Sequence, residues 1–263
     1  MTNHAGYQDL LYDENKGVAT ITINRPEKHN AFRGVTCDEL IDAFNRAGWN
    51  KDVGVIVFTG AGTKAFCTGG DQSAHEGSYD GRGTIGLPME ALHAIIRIVP
   101  KPVIAKVRGY AIGGGNVLAT LCDLTIASES AQLGQVGPKV GSVDPGFGTA
   151  YLARIVGDKR AREIWYMCRR YSAREALAMG LINYVVPKEQ LLAKARELAG
   201  KLAENGPLAV RKIKEGVQRT SGLPLDQALA IESEVSLAVL MSKDAREGPR
   251  AFKEKRKPNF TGE

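Results

Sequence analysis

The sequence predicts an α/β protein that finishes in a run of helices, and three patterns carry that expectation. Val18–Ile23, residues 53–59 and Val103–Val107 are short runs of β-branched and small apolar residues, the signature of strands. Between the first two, residues 36–50 place Leu40, Ile41, Phe44 and Ala47 at helical spacing behind a threonine in N-cap position. From Asp158 onward only helical periodicity remains, over residues 161–169, 173–179, 188–203, 207–219 and 224–241. Strands alternating with helices stack as βα units. The helical tail reads as an appendage that packs on the core or on neighbouring subunits.

The 263 residues are 43% hydrophobic, enough for a full core and ordinary for a globular chain. No run approaches the roughly 18 apolar residues of a membrane span. The opening MTNHAGYQDLLYDENKG lacks a basic stretch followed by an apolar one, so the expected location is cytoplasmic. Cys37, Cys67, Cys122 and Cys168 are widely spaced, which argues against a zinc site or disulfide framework and for reduced thiols. No metal site is expected.

Net charge is +6, with a basic cluster at Lys253, Lys255, Arg256 and Lys257. A solvated helix end explains such a cluster. A basic surface also suits a polyanionic ligand or nucleic acid. The basic residues lack the interleaved aromatics of single-strand binders, which argues against nucleic acid.

Two glycine-rich turns carry the chemistry. The first is Phe66-Cys67-Thr68-Gly69-Gly70-Asp71, and the second is Gly113-Gly114-Gly115 ahead of a helix. Each alone is what a tight turn needs. Together they offer two unobstructed backbone N–H groups, the makings of an oxyanion hole. Neither has P-loop spacing. Cys67, inside the first turn, reads as a small core residue rather than a nucleophile. The polar stretch 71–88 holds Gly77, Gly81, Gly83 and Gly86 and is too long for a passive connection.

These two turns, in this order, resemble the crotonase (enoyl-CoA hydratase/isomerase) superfamily over about residues 7–260. The resemblance implies a crotonase-like spiral of ββα units with a C-terminal helical region. Residues 1–200 would form the core with an acyl-CoA site, and residues 201–263 a helical region for oligomerisation and coenzyme A contacts. It implies that the N–H groups of Gly70 and Gly114 stabilise a thioester enolate, with Thr68, Gly69, Asp71, Gln72 and Gly113 around them. The motif Arg25-Pro26-Glu27-Lys28-His29-Asn30-Ala31 resembles a turn that contacts coenzyme A, so Lys28 and His29 are expected to face the nucleotide.

Two positions depart from the hydratases of this superfamily. Those enzymes carry one glutamate three residues after the second hole glycine and another two residues after the glutamine of Gln135-Val136-Gly137. Here the positions are Val117 and Gly137, and neither moves a proton. Hydration by a glutamate pair is therefore not expected. Asp144, in Gly141-Ser142-Val143-Asp144-Pro145-Gly146, is also what an ordinary turn would hold. In the family context it faces the acyl group, with Ser142 set to bond the substrate carbonyl and Gln135 and Gly137 near the substrate.

The stretch 134–144, with Tyr151-Leu152-Ala153-Arg154 and Ala161-Arg162-Glu163-Ile164-Trp165, resembles one branch of the family. That branch holds 1,4-dihydroxy-2-naphthoyl-CoA synthase, which closes a ring, and 2-ketocyclohexanecarboxyl-CoA hydrolase, which opens one. The loop from Asp71 to Glu90, and Asn116 where the synthase usually has histidine, resemble the hydrolase. The expected activity is hydrolytic ring opening of a cyclic β-ketoacyl-CoA. The alternatives are synthase chemistry, in which bicarbonate serves as base, and a non-catalytic RNA-binding relative. Coenzyme A is expected only as part of the substrate.

On the long loop, His75 and Tyr79 are candidates for substrate contact, whereas His4 and His93 read as incidental. Leu240 stands where relatives of this branch usually carry a tyrosine. By resemblance, Ser236 and Lys255 reach the coenzyme A nucleotide of a neighbouring subunit. The assembly expected is a homotrimer or homohexamer. The apolar face with Leu225, Leu229, Ile231, Val235, Leu237, Val239 and Leu240 suits such a contact.

Overall fold

A computed structural model describes residues 6–74 and 81–263. The chain opens with a hairpin, β1 (Leu10–Asn15) and β2 (Val18–Ile23), followed by α1 (Gly34–Trp49) and β3 (Val55–Gly60). Then come β4 (Ala65–Cys67), α2 (Met89–Ile98), β5 (Val103–Val107), β6 (Tyr110–Ile112) and α3 (Gly114–Leu121). The next elements are β7 (Leu124–Ser128), β8 (Gln132–Gly134), α4 (Gly148–Val156), α5 (Asp158–Met167), β9 (Tyr171–Ser172), α6 (Ala173–Ala178) and β10 (Tyr184–Val186). Four helices close the chain: α7 (Leu191–Ala203), α8 (Pro207–Thr220), α9 (Leu225–Leu240) and α10 (Asp244–Lys253).

The strands form two sheets. The larger runs β1-β2-β3-β5-β7-β10 and is parallel except for β1; the smaller runs β4-β6-β8-β9 and is parallel except for β9. Each of β3, β5 and β7 is followed directly by its counterpart in the small sheet, β4, β6 and β8. After the first two pairs the chain returns through α2 and α3. This is the spiral of ββα turns that the sequence resemblance implies. The inner strands β2, β3 and β5 of the large sheet are largely buried on both faces, which explains their near-continuous apolar runs.

The helical expectation for residues 36–50 needs a correction at its start. The helix begins at Gly34, with Arg33 at the N-cap and Thr36 at the third helical position. The Thr36 hydroxyl accepts from Arg33 N–H at 3.1 Å and donates to Asp9. Arg33 in turn gives Asp9 a two-pronged ion pair, both contacts at 2.8 Å, so a tertiary carboxylate resets the helix start.

Helix α7 packs directly on the large sheet through Leu191, Ala195 and Leu198, and the polar ties of the later helices run through α8. Lys214 reaches Asp123 (2.8 Å) and the carbonyl of Lys101 (3.0 Å), while Asp123 also accepts from Val103 N–H (2.7 Å). Helix α9 packs mainly on α8. Leu225, Leu229, Leu237 and Leu240 remain exposed on it. No helix among the described residues is long and apolar enough to cross a membrane.

Candidate active site

Two backbone amides converge where the 66–71 turn meets α3. Phe32 N–H bonds Gly69 O (2.9 Å), and Asp71 N–H bonds Phe32 O (2.8 Å), a parallel bridge centred on Gly70. Bonding alternates along a strand, so Gly70 N–H points away from Phe32. It has no backbone acceptor among the described residues. Gly114 opens α3, where a first-turn N–H has no acceptor within the helix. The turns are in backbone contact, since a Cβ built on Gly69 would lie 3.2 Å from Gly114 N. Two free donors at a helix N-terminus favour a negative oxygen.

Only glycine fits this crossing. A methyl on Gly114 would fall 2.7 Å from Phe32 Cζ, and one on Gly115 would fall 2.0 Å from Cys67 O. Cys67 itself is buried, its thiol pushed up to about 12 by burial, which suits a packing residue.

A buried polar frame holds the first turn. Arg25 Nη2 lies 2.8 Å from Asp71 Oδ2, and Arg25 Nε lies 3.6 Å from Asp9 Oδ2. Burial pushes Asp71 up, but hydrogen bonds from Ser73 and Arg25 outweigh it and hold the carboxyl below its ordinary range. Asn30, fully buried, accepts from Arg25 N–H (3.1 Å) and donates to Ala61 O (2.9 Å) and Ala65 O (2.7 Å). Asp71, expected among the binding residues, thus has both oxygens engaged inside the protein, with Ser73 on Oδ1 and Arg25 on Oδ2. Lys28 and His29 are exposed on the same turn. Lys28 Nζ lies 3.3 Å from Ser73 Oγ, and Thr68 Oγ1 lies 3.4 Å from His29 O. Gln72 is exposed, with Nε2 3.5 Å from Gly70 O. The sequence reading missed Arg25, Asn30 and Asp9. Their signal, an arginine and an asparagine bracketing the turn, is visible only once the turn closes.

Asp144 supplies the carboxylate. Its Cβ lies 3.1 Å from the point where a Gly148 Cβ would stand, with Val117 Cγ2 and Trp165 Cζ2 at 3.4 and 3.7 Å from that point. Burial against this wall raises the carboxyl to about 6. Val117, Leu121, Leu152 and Tyr151 pack closely with Thr120 and Gln135 beside Gly148, leaving no space for a water. Gln135, its amide oriented by its neighbours, donates to Asp144 Oδ2 (3.0 Å) and Gly113 O (3.3 Å) and accepts from Asn116 Nδ2 (3.2 Å).

The two hydratase positions are differently filled. Val117 is buried, its Cγ2 facing Gly148. Gly137 is buried under the 137–142 turn, where Ser142 N–H bonds Gly137 O (2.9 Å) and a Cβ on Gly137 would fall 2.6 Å from Ser142 O. Gly137, expected near the substrate, underlies the turn that leads on to Asp144. Ser142 is exposed on that turn. His93, read as incidental, is buried on α2 against Gly146 of the Asp144 loop.

His75 and Tyr79 lie outside the described residues. Ser236 is exposed on α9, whose main packing partners are α8 and α10. Lys255 is exposed in the turn after α10. Neither Ser236 nor Lys255 is on an element that carries the glycine pair. Among the described residues no group of His, Cys, Asp and Glu is arranged to hold a metal ion.

A sequence model of the enoyl-CoA hydratase/isomerase family matches residues 13–263. The structure is similar to that of an enoyl-CoA hydratase from Bacillus anthracis, at 37% identity and TM-score 0.91, covering 97% of this chain and 100% of that one. An enoyl-CoA hydratase/carnitine racemase from Magnetospirillum magneticum matches at 31% identity and TM-score 0.89, covering 97% and 96%. An enoyl-CoA hydratase from a Polaromonas species matches at 31% and 0.88, covering 95% and 99%. Fold and site define a crotonase-type enzyme that acts on acyl-CoA thioesters. The chain belongs to the enoyl-CoA hydratase/isomerase family.

Proposed function

We propose that the chain opens the ring of a cyclic β-ketoacyl-CoA by hydrolysis, as in the conversion of 2-ketocyclohexanecarboxyl-CoA to pimeloyl-CoA. One observation carries this reading. The carboxylate joined to the oxyanion turn is Asp144, poised near neutral pH, while the two positions of the hydratase glutamates hold Val117 and a covered Gly137. A single base adds water to a ketone; it does not replace a pair of carboxyls.

Asp144 takes a proton from water as the hydroxide forms a bond to the ring ketone carbon. The resulting alkoxide collapses to a carboxylic acid, and the bond between that carbon and the thioester α-carbon breaks. Its electron pair becomes the thioester enolate, whose oxygen Gly70 and Gly114 N–H hold. Asp144 returns its proton to the α-carbon, so the sum is substrate plus one water. Coenzyme A enters only as part of the substrate.

The test is incubation of the purified protein with 2-ketocyclohexanecarboxyl-CoA in H₂¹⁸O. Pimeloyl-CoA with one heavy oxygen in its free carboxyl is expected by mass spectrometry. No product rejects this substrate. Ring closure of o-succinylbenzoyl-CoA, accelerated by bicarbonate, would instead group the chain with the synthases. The proposed assembly is a homotrimer or homohexamer, because the exposed leucines of α9 form an unpaired apolar face. A monomeric mass by light scattering at micromolar protein would reject it. A cytoplasmic setting is proposed from the wide spacing of the four cysteines in the sequence.

A further inference from the structure

We infer that Gln135 is a positioning residue: its amide holds Oδ2 of Asp144 and leaves Oδ1 as the oxygen that handles the proton. The inference rests on the proposed role of Asp144. Gln135 follows β8, whose last residue is tied to the oxyanion turn by Gly113 N–H to Gly134 O (2.9 Å). Its side chain returns to the same residue at Gly113 O (3.3 Å) and reaches Asp144 Oδ2 (3.0 Å). Asp144 lies between the 137–140 turn and α4, outside regular structure. A loop carboxylate therefore takes its aim from a residue braced against the turn that carries the Gly114 donor.

A primary amide presents either its oxygen or its NH₂ to a neighbour. Two acceptors, Asp144 Oδ2 and Gly113 O, lie on one side of Gln135, and one donor, Asn116 Nδ2, lies on the other. Asn116 is fully buried. It sets the orientation of Gln135 and so acts on Asp144 at one remove. With the amide reversed, an oxygen would face the carboxylate and repel it.

An N–H donated to a carboxylate favours the charged form, while burial opposes it. Removing Gln135 therefore moves the Asp144 titration upward. Two neighbouring groups leave that signal clear. The Cys67 thiol, from β4, is pushed up to about 12 by burial, and the His93 imidazole, from α2, is pushed down to about 4. Neither changes charge between about pH 5 and pH 9.

The experiment reads Asp144 directly and needs no substrate. Full-length protein is labelled with ¹³C at the aspartate carboxyls, and the Asp144 signal is assigned with Asp144→Asn. Gln135→Leu should raise its midpoint by about one pH unit or more. Asn116→Leu should raise it in the same direction without touching the carboxylate. Turnover should fall about 10- to 100-fold in kcat, with KM within about threefold. If Gln135→Leu does not fold by circular dichroism, Gln135→Met, closer in length, replaces it. An unmoved midpoint in a folded Gln135 variant overturns the inference. A raised midpoint in a protein whose wild type opens no cyclic β-ketoacyl-CoA supports the positioning role and rejects the proposed reaction.

Discussion

The imidazole of His93 lies directly against Gly146, where a Cβ would fall 2.5 Å from Nδ1. Neither ring nitrogen has a hydrogen-bond partner among the described residues. A neutral histidine on α2 thus forms the floor beneath the loop that carries Asp144.

Burial depresses His93 to about 4 from an ordinary value of 6.5. Between those values the unfolded chain binds the proton and the folded one does not, so stability is lost as pH falls through this window. The loss from pH 7.5 to pH 5 should be about 2 kcal/mol from this group alone. Urea unfolding of His93→Leu at both pH values should show a correspondingly smaller difference than wild type. Equal differences would remove His93 as the cause.

Asp144 has the opposite sign. Its folded value, about 6, lies above the ordinary 3.8, so the folded chain binds more protons between them. Stability attributable to Asp144 therefore falls as pH rises from about 4 to about 6. Asp144→Asn should be more stable at pH 7 by about 1–2 kcal/mol, discounted for partial solvent access. It should lose at least about 100-fold in kcat. Wild-type kcat should rise with pH through about 6, because the charged form is the base. A flat profile from pH 5 to pH 7 would exclude that role.

Gly114→Ala places a methyl into the Phe32 ring edge, 2.7 Å from Cζ and 3.0 Å from Cε1. Displacing the donor should cost about 100- to 1000-fold in kcat. Adding Phe32→Leu should recover part of that loss. No recovery would mean that the turn fails for another reason.

Lys214→Met leaves Asp123 without its ammonium partner, in a spot that burial already penalises. Lys214 is covered but the Asp123 side chain is 28% exposed, so breaking the pair should cost about 1–2 kcal/mol, measured by urea unfolding. A loss under about 1 kcal/mol would mean that α8 docks chiefly through its apolar face.

Lys255→Ala should raise KM for acyl-CoA and leave kcat nearly unchanged, since phosphate attraction serves binding. The effect should shrink for a substrate lacking the 3′-phosphate. Loss of turnover at saturating substrate would contradict the phosphate role.

Three inner strands of the large sheet, β2, β3 and β5, were legible because strands buried on both faces keep β-branched runs; β2 and β5 fall at their expected bounds, while β1, β7 and β10 were not read. The small sheet was not, since β4, β6 and β8 have three residues each and β9 two, too short to show a period. Gly70 and Gly114 were legible as turns, and their convergence follows from the spiral that stacks β4 beside β6. The contacts of Gln135 with Asp144, Gly113 and Asn116 link three separate segments and leave no local pattern. His93 was legible as a helix residue; its contact with Gly146 was not, because a helical pattern does not show which loop lies against a buried side.

Because Ser142 O stands where a side chain at Gly137 would begin, Val117 and Gly137 differ in how readily a carboxyl could be placed there. At Val117 the backbone already carries a branched side chain, so a replacement there contends with packed side chains and leaves the backbone path as it is. At Gly137 the first carbon of any side chain already collides with backbone, and the 137–142 turn must be laid anew before a carboxyl can enter.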